Sequence, residues 1–141
     1  MVKRTYLDTN VLIDAFQGEN DAAIRALEVL DDPERRFVVS DYLRLELLPH
    51  PTFLGRTEEV QFMRTFFENA AEDVPPSQEL TGCALDMASK YDMTAIDALH
   101  IGTALMAEVD EFITMEKATT PMCRIREIME VSLHSEKPLL P

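Results

Sequence analysis

Runs of apolar residues alternate along the chain between strand-like and helix-like spacing. Residues 2–7 predict a first strand, and Gly18 ends the helix that follows it. One face of that helix consists of Val11, Leu12, Ala15 and Phe16. Residues 20–31 predict a second helix, which Asp32-Pro33 ends. Its predicted inner face consists of Ala23, Ile24, Leu27 and Leu30.

The rest of the chain continues this alternation. Phe37-Val38-Val39 predicts a short buried strand, and Ser40 is a suitable cap for a helix that runs to about Leu48. Pro49-His50-Pro51 is expected to stop that helix. The remaining predicted helices cover 57–70, 77–91, 94–108 and 124–130, and the remaining strands cover 112–114 and 131–133.

This order of elements predicts an α/β protein. Strands that alternate with helices are typical of a three-layer α/β/α sandwich with a central, mostly parallel sheet. The stretch Val74-Pro75-Pro76-Ser77 is too short to separate two domains and is interpreted as a turn. We therefore expect residues 1–141 to form a single domain.

The composition is that of an ordinary globular protein, with 46% hydrophobic and 28% charged residues. No apolar run approaches the roughly 18 residues of a membrane-spanning helix, and the N-terminus has no apolar secretory core. A cytoplasmic location is the expectation. Cys83 and Cys123 lie far apart in neither a metal nor a redox spacing, so we interpret them as reduced thiols.

The charge is strongly negative. Thirteen Lys and Arg against 26 Asp and Glu give a net charge of −13. Such a surface repels nucleic acid, whose binding normally requires a basic patch. It suits a basic partner or a site that needs cations, and a few local arginines can still dominate one face.

Four acids follow or lie beside predicted strand ends: Asp8, Glu46, Asp97 and Glu116. In a parallel sheet these positions can all face the carboxyl edge, where sites of such folds gather. Carboxylates that converge there repel one another unless a cation lies between them. Hard divalent ions such as Mg²⁺ or Mn²⁺ bind such oxygen clusters, and they can activate water for attack on phosphorus.

Each acid also has a simpler interpretation. Asp8 can cap the helix that follows it, and Thr94-Ala95-Ile96-Asp97 matches a capping box. Glu116 can be a solvated loop acid beside Lys117. Glu46 is harder to explain in this way, because an acid among apolar neighbours needs a partner or a metal.

His100 lies three residues after Asp97 and so shares its helix face. A histidine in this position is more often a core or surface residue than a ligand, and Mg²⁺ has little need of nitrogen ligands.

Taken together, four segments resemble the PIN domain, a nuclease family that includes the VapC toxins. They are the stretch 6–14 (Tyr-Leu-Asp-Thr-Asn-Val-Leu-Ile-Asp), the helix from Ser40 through Glu46, the stretch 95–104 (Ala-Ile-Asp-Ala-Leu-His-Ile-Gly-Thr-Ala), and 112–116 (Phe-Ile-Thr-Met-Glu). Their order and spacing fit along nearly the whole chain.

The resemblance implies a Mg²⁺- or Mn²⁺-dependent endoribonuclease. Asp8, Glu46 and Asp97 would be its core carboxylate ligands, and Asn10 and Thr114 would support the site. The acid at 116 completes the implied site as a catalytic residue and metal ligand, although the family most often has Asp where this chain has Glu. The resemblance also implies an RNA substrate, a homodimer and a small antitoxin that binds near the acidic site.

A different class of function remains open, in which a catalytically weak PIN-like module acts through protein binding. The acidic surface and the Glu at 116 favour it. A phosphoacceptor receiver domain and a DxD phosphatase are both disfavoured, because the acids that each requires are not in place. Under the nuclease hypothesis, Arg36, Arg44 or Lys117 would contact the RNA backbone.

Overall fold

The computed structural model describes residues 1–117 and 119–134, and within these ranges five parallel strands form one sheet. The strands are β1 (Lys3–Leu7), β2 (Arg35–Ser40), β3 (Glu72–Val74), β4 (Glu111–Thr114) and β5 (Glu130–Ser132). Their order across the sheet is β3-β2-β1-β4-β5. The chain therefore moves outward from β1 to β3 and then returns to the other side of β1. The carboxyl ends of β1 and β4 flank this change of direction, which is where α/β sheets form their binding crevices.

Seven α-helices connect these strands in the part of the chain that the structure describes. They are α1 (Thr9–Gln17), α2 (Asp21–Leu30), α3 (Asp41–Leu47), α4 (Pro49–Phe53), α5 (Thr57–Glu68), α6 (Gln78–Tyr91) and α7 (Ala95–Met106). Right-handed crossovers place the helices before β3 and those after it on opposite faces of the sheet. The predicted three-layer α/β/α sandwich is thus confirmed. No helix among the described residues is long and apolar enough to cross a membrane.

The two central strands account for much of the core. Tyr6 on β1 and Phe112 on β4 are directly paired and fully buried, and their rings stack with centroids 5.7 Å apart. Val38 and Val39 on β2 are buried beside them. Because both faces of the sheet are covered by helices, these strands are apolar in consecutive rather than alternating positions.

The predicted inner face of α2 is wrong in part. Ile24 and Leu27 are 56% and 41% exposed, whereas Ala23, Ala26 and Val29 are buried. Small residues allow α2 to approach α1 closely: a Cβ at Gly18 would lie 2.8 Å from that of Ala23. The close approach rotates the larger apolar side chains outward.

Three other local features differ from the sequence-based predictions. Pro49 begins α4 rather than only stopping α3, because proline is well suited to the first turn of a helix. The edge strand β3 was not predicted, because it has only one apolar residue; it forms through its pairing with β2. The predicted helix 124–130 is absent from the described chain. There, the Glu130 carboxylate accepts a hydrogen bond from the Ile125 amide, which ties the loop back to β5.

Candidate active site

The four predicted acids lie on four different elements around the carboxyl edge of the sheet. Asp8 directly follows β1, and Glu116 lies two residues beyond the end of β4. Glu46 belongs to α3, which begins where β2 ends, and Asp97 lies in the first turn of α7. The topology therefore brings β1 and β4, and with them Asp8 and Glu116, together at the crevice.

Asp8 is the most buried of these acids, with 4% of its surface exposed. It is the N-cap of α1, and its Oδ1 accepts a hydrogen bond from the Thr9 amide at 2.9 Å. Its Oδ2 accepts a second hydrogen bond from the Thr114 hydroxyl at 2.9 Å. Asp8 thus has the capping role that its local sequence predicts, and it also faces the end of the neighbouring strand.

The surroundings of Asp8 disfavour its charged form. Burial raises the pKa of Asp8 above the usual Asp range, and the negative charge of Asp97 raises it further. The hydrogen bond from Thr114 and the nearby His100 oppose both effects. A carboxylate that is buried beside another acid is a place where added positive charge is favourable.

Asn10 and Thr114, the two predicted supporting residues, connect the ends of β1 and β4. The Asn10 Oδ1 accepts a hydrogen bond from the Met115 amide at 3.0 Å, and its Nδ2 donates one to Glu116 Oε2 at 3.3 Å. The Thr114 hydroxyl also accepts a hydrogen bond from the Glu116 amide at 3.1 Å. Asp8, Asn10, Thr114 and Glu116 therefore form one hydrogen-bonded group.

Glu46 has a specific partner that the sequence did not reveal. Its Oε1 accepts a hydrogen bond at 2.5 Å from Nε2 of His100, which is fully buried on α7. This hydrogen bond is the main reason why the pKa of Glu46 lies below its ordinary value. Glu46 is also less enclosed than its apolar neighbours predict, since 33% of its side chain is exposed.

The sequence favoured a core or surface role for His100 over a ligand, and the structure shows it fully buried and hydrogen-bonded on both ring nitrogens. Two signals pointed toward its role: it shares a helix face with Asp97, and Glu46 required a partner. Neither signal identifies the pair, because the two residues lie 54 positions apart in the chain.

Asp97 lies where the capping pattern predicts. The Thr94 hydroxyl accepts a hydrogen bond from the Asp97 amide at 3.3 Å, so Thr94 is the N-cap of α7. The Asp97 carboxylate is partly exposed, and its charge acts on Asp8. Within residues 1–117 and 119–134, no three His, Cys, Asp or Glu side chains are already gathered into a group that could hold a metal ion.

The basic residues that were predicted to contact RNA differ in their placement. Arg44 is bound to Asp73 at 2.6 Å and lies over the ring of Phe67. Arg36 is near the start of β2, paired with Arg4 at the opposite edge of the sheet from Asp8. Lys117 is exposed beside Glu116.

A cavity of about 280 Å³ adjoins Glu46 and contains basic residues that the sequence reasoning missed. Arg56 and His50 line it together with Glu46 and the buried Glu59. Arg56 lies 3.7 Å from Glu59, and half of its side chain is exposed. This cavity places the Arg56 guanidinium close to the carboxyl edge that carries the four acids, which we call the acidic edge.

Comparison with known families identifies this arrangement. The family model for the PIN domain matches residues 5–118, which is more than half of the 141-residue chain. The chain belongs to the PIN domain family. The matched range of this PIN domain contains all four acids and both supporting residues.

Solved structures similar to this PIN domain include three complexes. A toxin–antitoxin complex from Klebsiella pneumoniae is 22% identical with a TM-score of 0.69, and the match covers 92% of this chain and 97% of that one. DNA-bound VapBC from Salmonella typhimurium is 16% identical with a TM-score of 0.69, over 94% and 99% of the two chains. VapBC2 from Rickettsia felis, bound to a promoter DNA fragment, is 15% identical with a TM-score of 0.67, over 92% and 98%.

At these identities the likeness concerns the fold of the PIN domain. A comparison with curated proteins gave no match.

Proposed function

We propose that this PIN domain is a metal-dependent endoribonuclease that acts as the toxin of a toxin–antitoxin pair. The observation that carries the proposal is the state of Asp8. Its carboxylate is buried at the carboxyl edge of the central strand, and burial raises its pKa although the hydrogen bond from Thr114 and the nearby His100 lower it. A buried carboxylate beside a second acid, Asp97, at the binding edge of a PIN domain supports cation binding.

The donor chemistry fits a hard divalent ion. The proposed ligands are Asp8, Glu46, Asp97 and Glu116, which offer only carboxylate oxygens, the donors that Mg²⁺ and Mn²⁺ prefer. Because the described residues hold no ready group of three ligands, the partly exposed side chains of Asp97 and Glu116 would have to turn toward Asp8. Asp8 itself is held in place by its two hydrogen bonds.

The proposed roles of the residues follow from their contacts. A bound divalent ion supplies positive charge that lowers the pKa of water and offsets the charge of a phosphodiester. Thr114 and the Thr9 amide fix the orientation of Asp8, and Asn10 holds Glu116 beside it. Arg56 and Lys117, which flank the acidic edge, are the proposed contacts for the RNA backbone.

The toxin assignment is supported by the fold and by the charge. The similar solved structures from Klebsiella pneumoniae and Salmonella typhimurium are toxin complexes with their antitoxins. A net charge of −13 suits a basic partner better than it suits bare RNA. We therefore propose a small antitoxin with a basic segment that covers the acidic edge, a homodimeric toxin, and a cytoplasmic location.

The test is cleavage of single-stranded RNA in Mn²⁺. We expect the wild type to cleave and Asp8→Asn and Asp97→Asn to lose cleavage, because each variant removes one proposed ligand charge without changing the side chain's size. Asp86→Asn, at an exposed position on α6, is the matched control and should cleave as the wild type does. Equal cleavage by all four proteins would mean that the activity belongs to a contaminant or to another site.

The same experiment decides between this function and the binding module. If the wild type does not cleave and calorimetry detects no Mn²⁺ binding at millimolar metal, the catalytically weak PIN-like module is favoured instead.

A further inference from the structure

A chain of buried hydrogen bonds leads from the end of β2 to Glu46. The Ser40 hydroxyl lies 2.8 Å from the Tyr6 hydroxyl, which lies 2.8 Å from Nδ1 of His100. On its other side the imidazole contacts Glu46 through Nε2. Ser40, Tyr6 and His100 each have 0% exposure, so solvent does not reach the chain before its last member.

The hydrogen bonds of this chain have a defined direction when the imidazole is neutral. An ionised carboxylate only accepts hydrogen bonds, so the proton must be on Nε2 of His100. Nδ1 then has a lone pair and accepts the Tyr6 O–H, and the Tyr6 oxygen in turn can accept the Ser40 O–H. Every donor therefore points toward Glu46.

Burying this row of polar side chains costs free energy that an apolar core would avoid, which points to a functional reason for it. Buried polar groups must be hydrogen-bonded, and an apolar side chain at position 100 would fill the same space between α7 and β1 without this requirement. Tyr6 is held rigidly by its stacking on Phe112. These hydrogen bonds thus connect the buried Tyr6 ring, through His100, to the Glu46 carboxylate, which is one third exposed.

We propose that His100 is a positioning residue for Glu46. The imidazole N–H holds one carboxylate oxygen, Oε1, and leaves Oε2 available as a ligand. Tyr6 fixes the ring and its tautomer. Partners of this kind orient metal ligands, and their loss commonly weakens metal binding by about 10- to 100-fold. This role rests on the proposed function, because only that function supplies a cation for Glu46 to bind.

Two variants at the same position test the proposal. His100→Leu removes both ring nitrogens, whereas His100→Gln keeps an N–H donor near the position of Nε2. We expect His100→Leu to bind Mn²⁺ about 10- to 100-fold more weakly than the wild type in calorimetry. His100→Gln should recover most of that affinity. Ile101→Val, at the buried neighbouring position on α7, is the control for a general packing defect and should bind as the wild type does.

A second measurement on the metal-free protein separates this proposal from the proposed function. Three-bond NMR couplings of the Glu46 side chain should report one rotamer in the wild type and in His100→Gln. They should show rotamer averaging in folded His100→Leu, and partial averaging in Tyr6→Phe, which loses only the hydroxyl. If the wild type binds no Mn²⁺ while the couplings change in this way, the positioning of Glu46 stands and the metal-dependent function fails.

The opposite outcome overturns the proposal. If Glu46 keeps one rotamer in His100→Leu, and that variant binds Mn²⁺ as tightly as the wild type, then His100 serves only the packing of the core.

Discussion

The Thr114 hydroxyl donates a hydrogen bond to Asp8 Oδ2 across 2.9 Å, and this contact joins the ends of the two central strands. Asp8 and Thr114 are 106 positions apart in the sequence and are both buried. Their contact stabilises the charged form of an acid that burial otherwise disfavours. The stability of the sheet and the charge at the candidate site therefore depend on the same hydrogen bond.

Replacing this hydroxyl should destabilise the protein. Thr114→Val has nearly the same shape but removes the hydroxyl that donates to the buried Asp8 carboxylate and accepts from the Glu116 amide, at a cost of about 1–3 kcal/mol in the free energy of unfolding. Urea unfolding at pH 7 measures this change. Thr81→Val, at an exposed position on α6, is the control and should change stability by less than about 0.5 kcal/mol. Equal effects at both positions would contradict the role of the Thr114 hydroxyl.

Neutralising Asp8 should stabilise the metal-free protein at pH 7. The pKa of Asp8 is raised in the folded state, so the folded protein holds this proton more tightly than the unfolded chain does. The resulting stability is present at acid pH and is lost as the pH rises through the folded pKa. Asp8→Asn removes the charge, so its advantage over the wild type should be largest at neutral pH and shrink in acid. Unfolding in EDTA at several pH values tests this, and a loss of stability at pH 7 would contradict it.

Glu130 provides a second pH-dependent contribution, outside the candidate site. Burial raises the pKa of Glu130 to about 7, and its Oε2 has no hydrogen-bond partner within the described residues. Because the folded protein binds the Glu130 proton more tightly than the unfolded chain does, this proton stabilises the fold. The stabilisation is complete below the ordinary Glu pKa of 4.5 and is lost as the pH rises through about 7.

Glu130→Gln should therefore be more stable than the wild type at pH 8. We expect about 1 kcal/mol after allowance for solvent screening of this half-buried side chain. The difference should vanish near pH 4, which thermal unfolding at the two pH values would show. A constant difference across this range would mean that ionisation of Glu130 is not its cause.

Arg56 should contribute to RNA binding without taking part in cleavage. Arg56→Ala removes one proposed phosphate contact, so the slope of log affinity against log salt concentration for single-stranded RNA should become shallower by about 0.7. Fluorescence anisotropy in EDTA measures this slope. Arg36→Ala, on β2 at the opposite edge of the sheet, is the matched control and should leave the slope unchanged. If both variants behave alike, the cavity beside Glu46 does not bind RNA.

The sequence was sufficient for the architecture and for the placement of the acids at one edge. Consecutive apolar residues predict buried parallel strands; Asp8 directly follows β1, and Glu116 lies two residues beyond the end of β4. Parallel strands then bring such residues together, whatever their separation in the chain. The position of Asp97 at the start of α7 was equally accessible, because the capping residue Thr94 marks that start.

The sequence could not predict features that depend on contacts between distant segments. The outward position of Ile24 and Leu27 results from the close packing of small residues between α1 and α2, which hydrophobicity does not report. The strand β3 exists through its pairing with β2. The pairing of Glu46 with His100 joins α3 to α7, and neither local sequence predicts the other as its partner.

The order of strands across the sheet has a consequence for synthesis of the protein. β1 is made long before one of its two neighbours, β4, which ends at Thr114. The carboxyl edge that holds Asp8 is therefore incomplete until Thr114 has left the ribosome. Until then the growing polypeptide has no finished edge at which the proposed site could bind a metal ion or RNA.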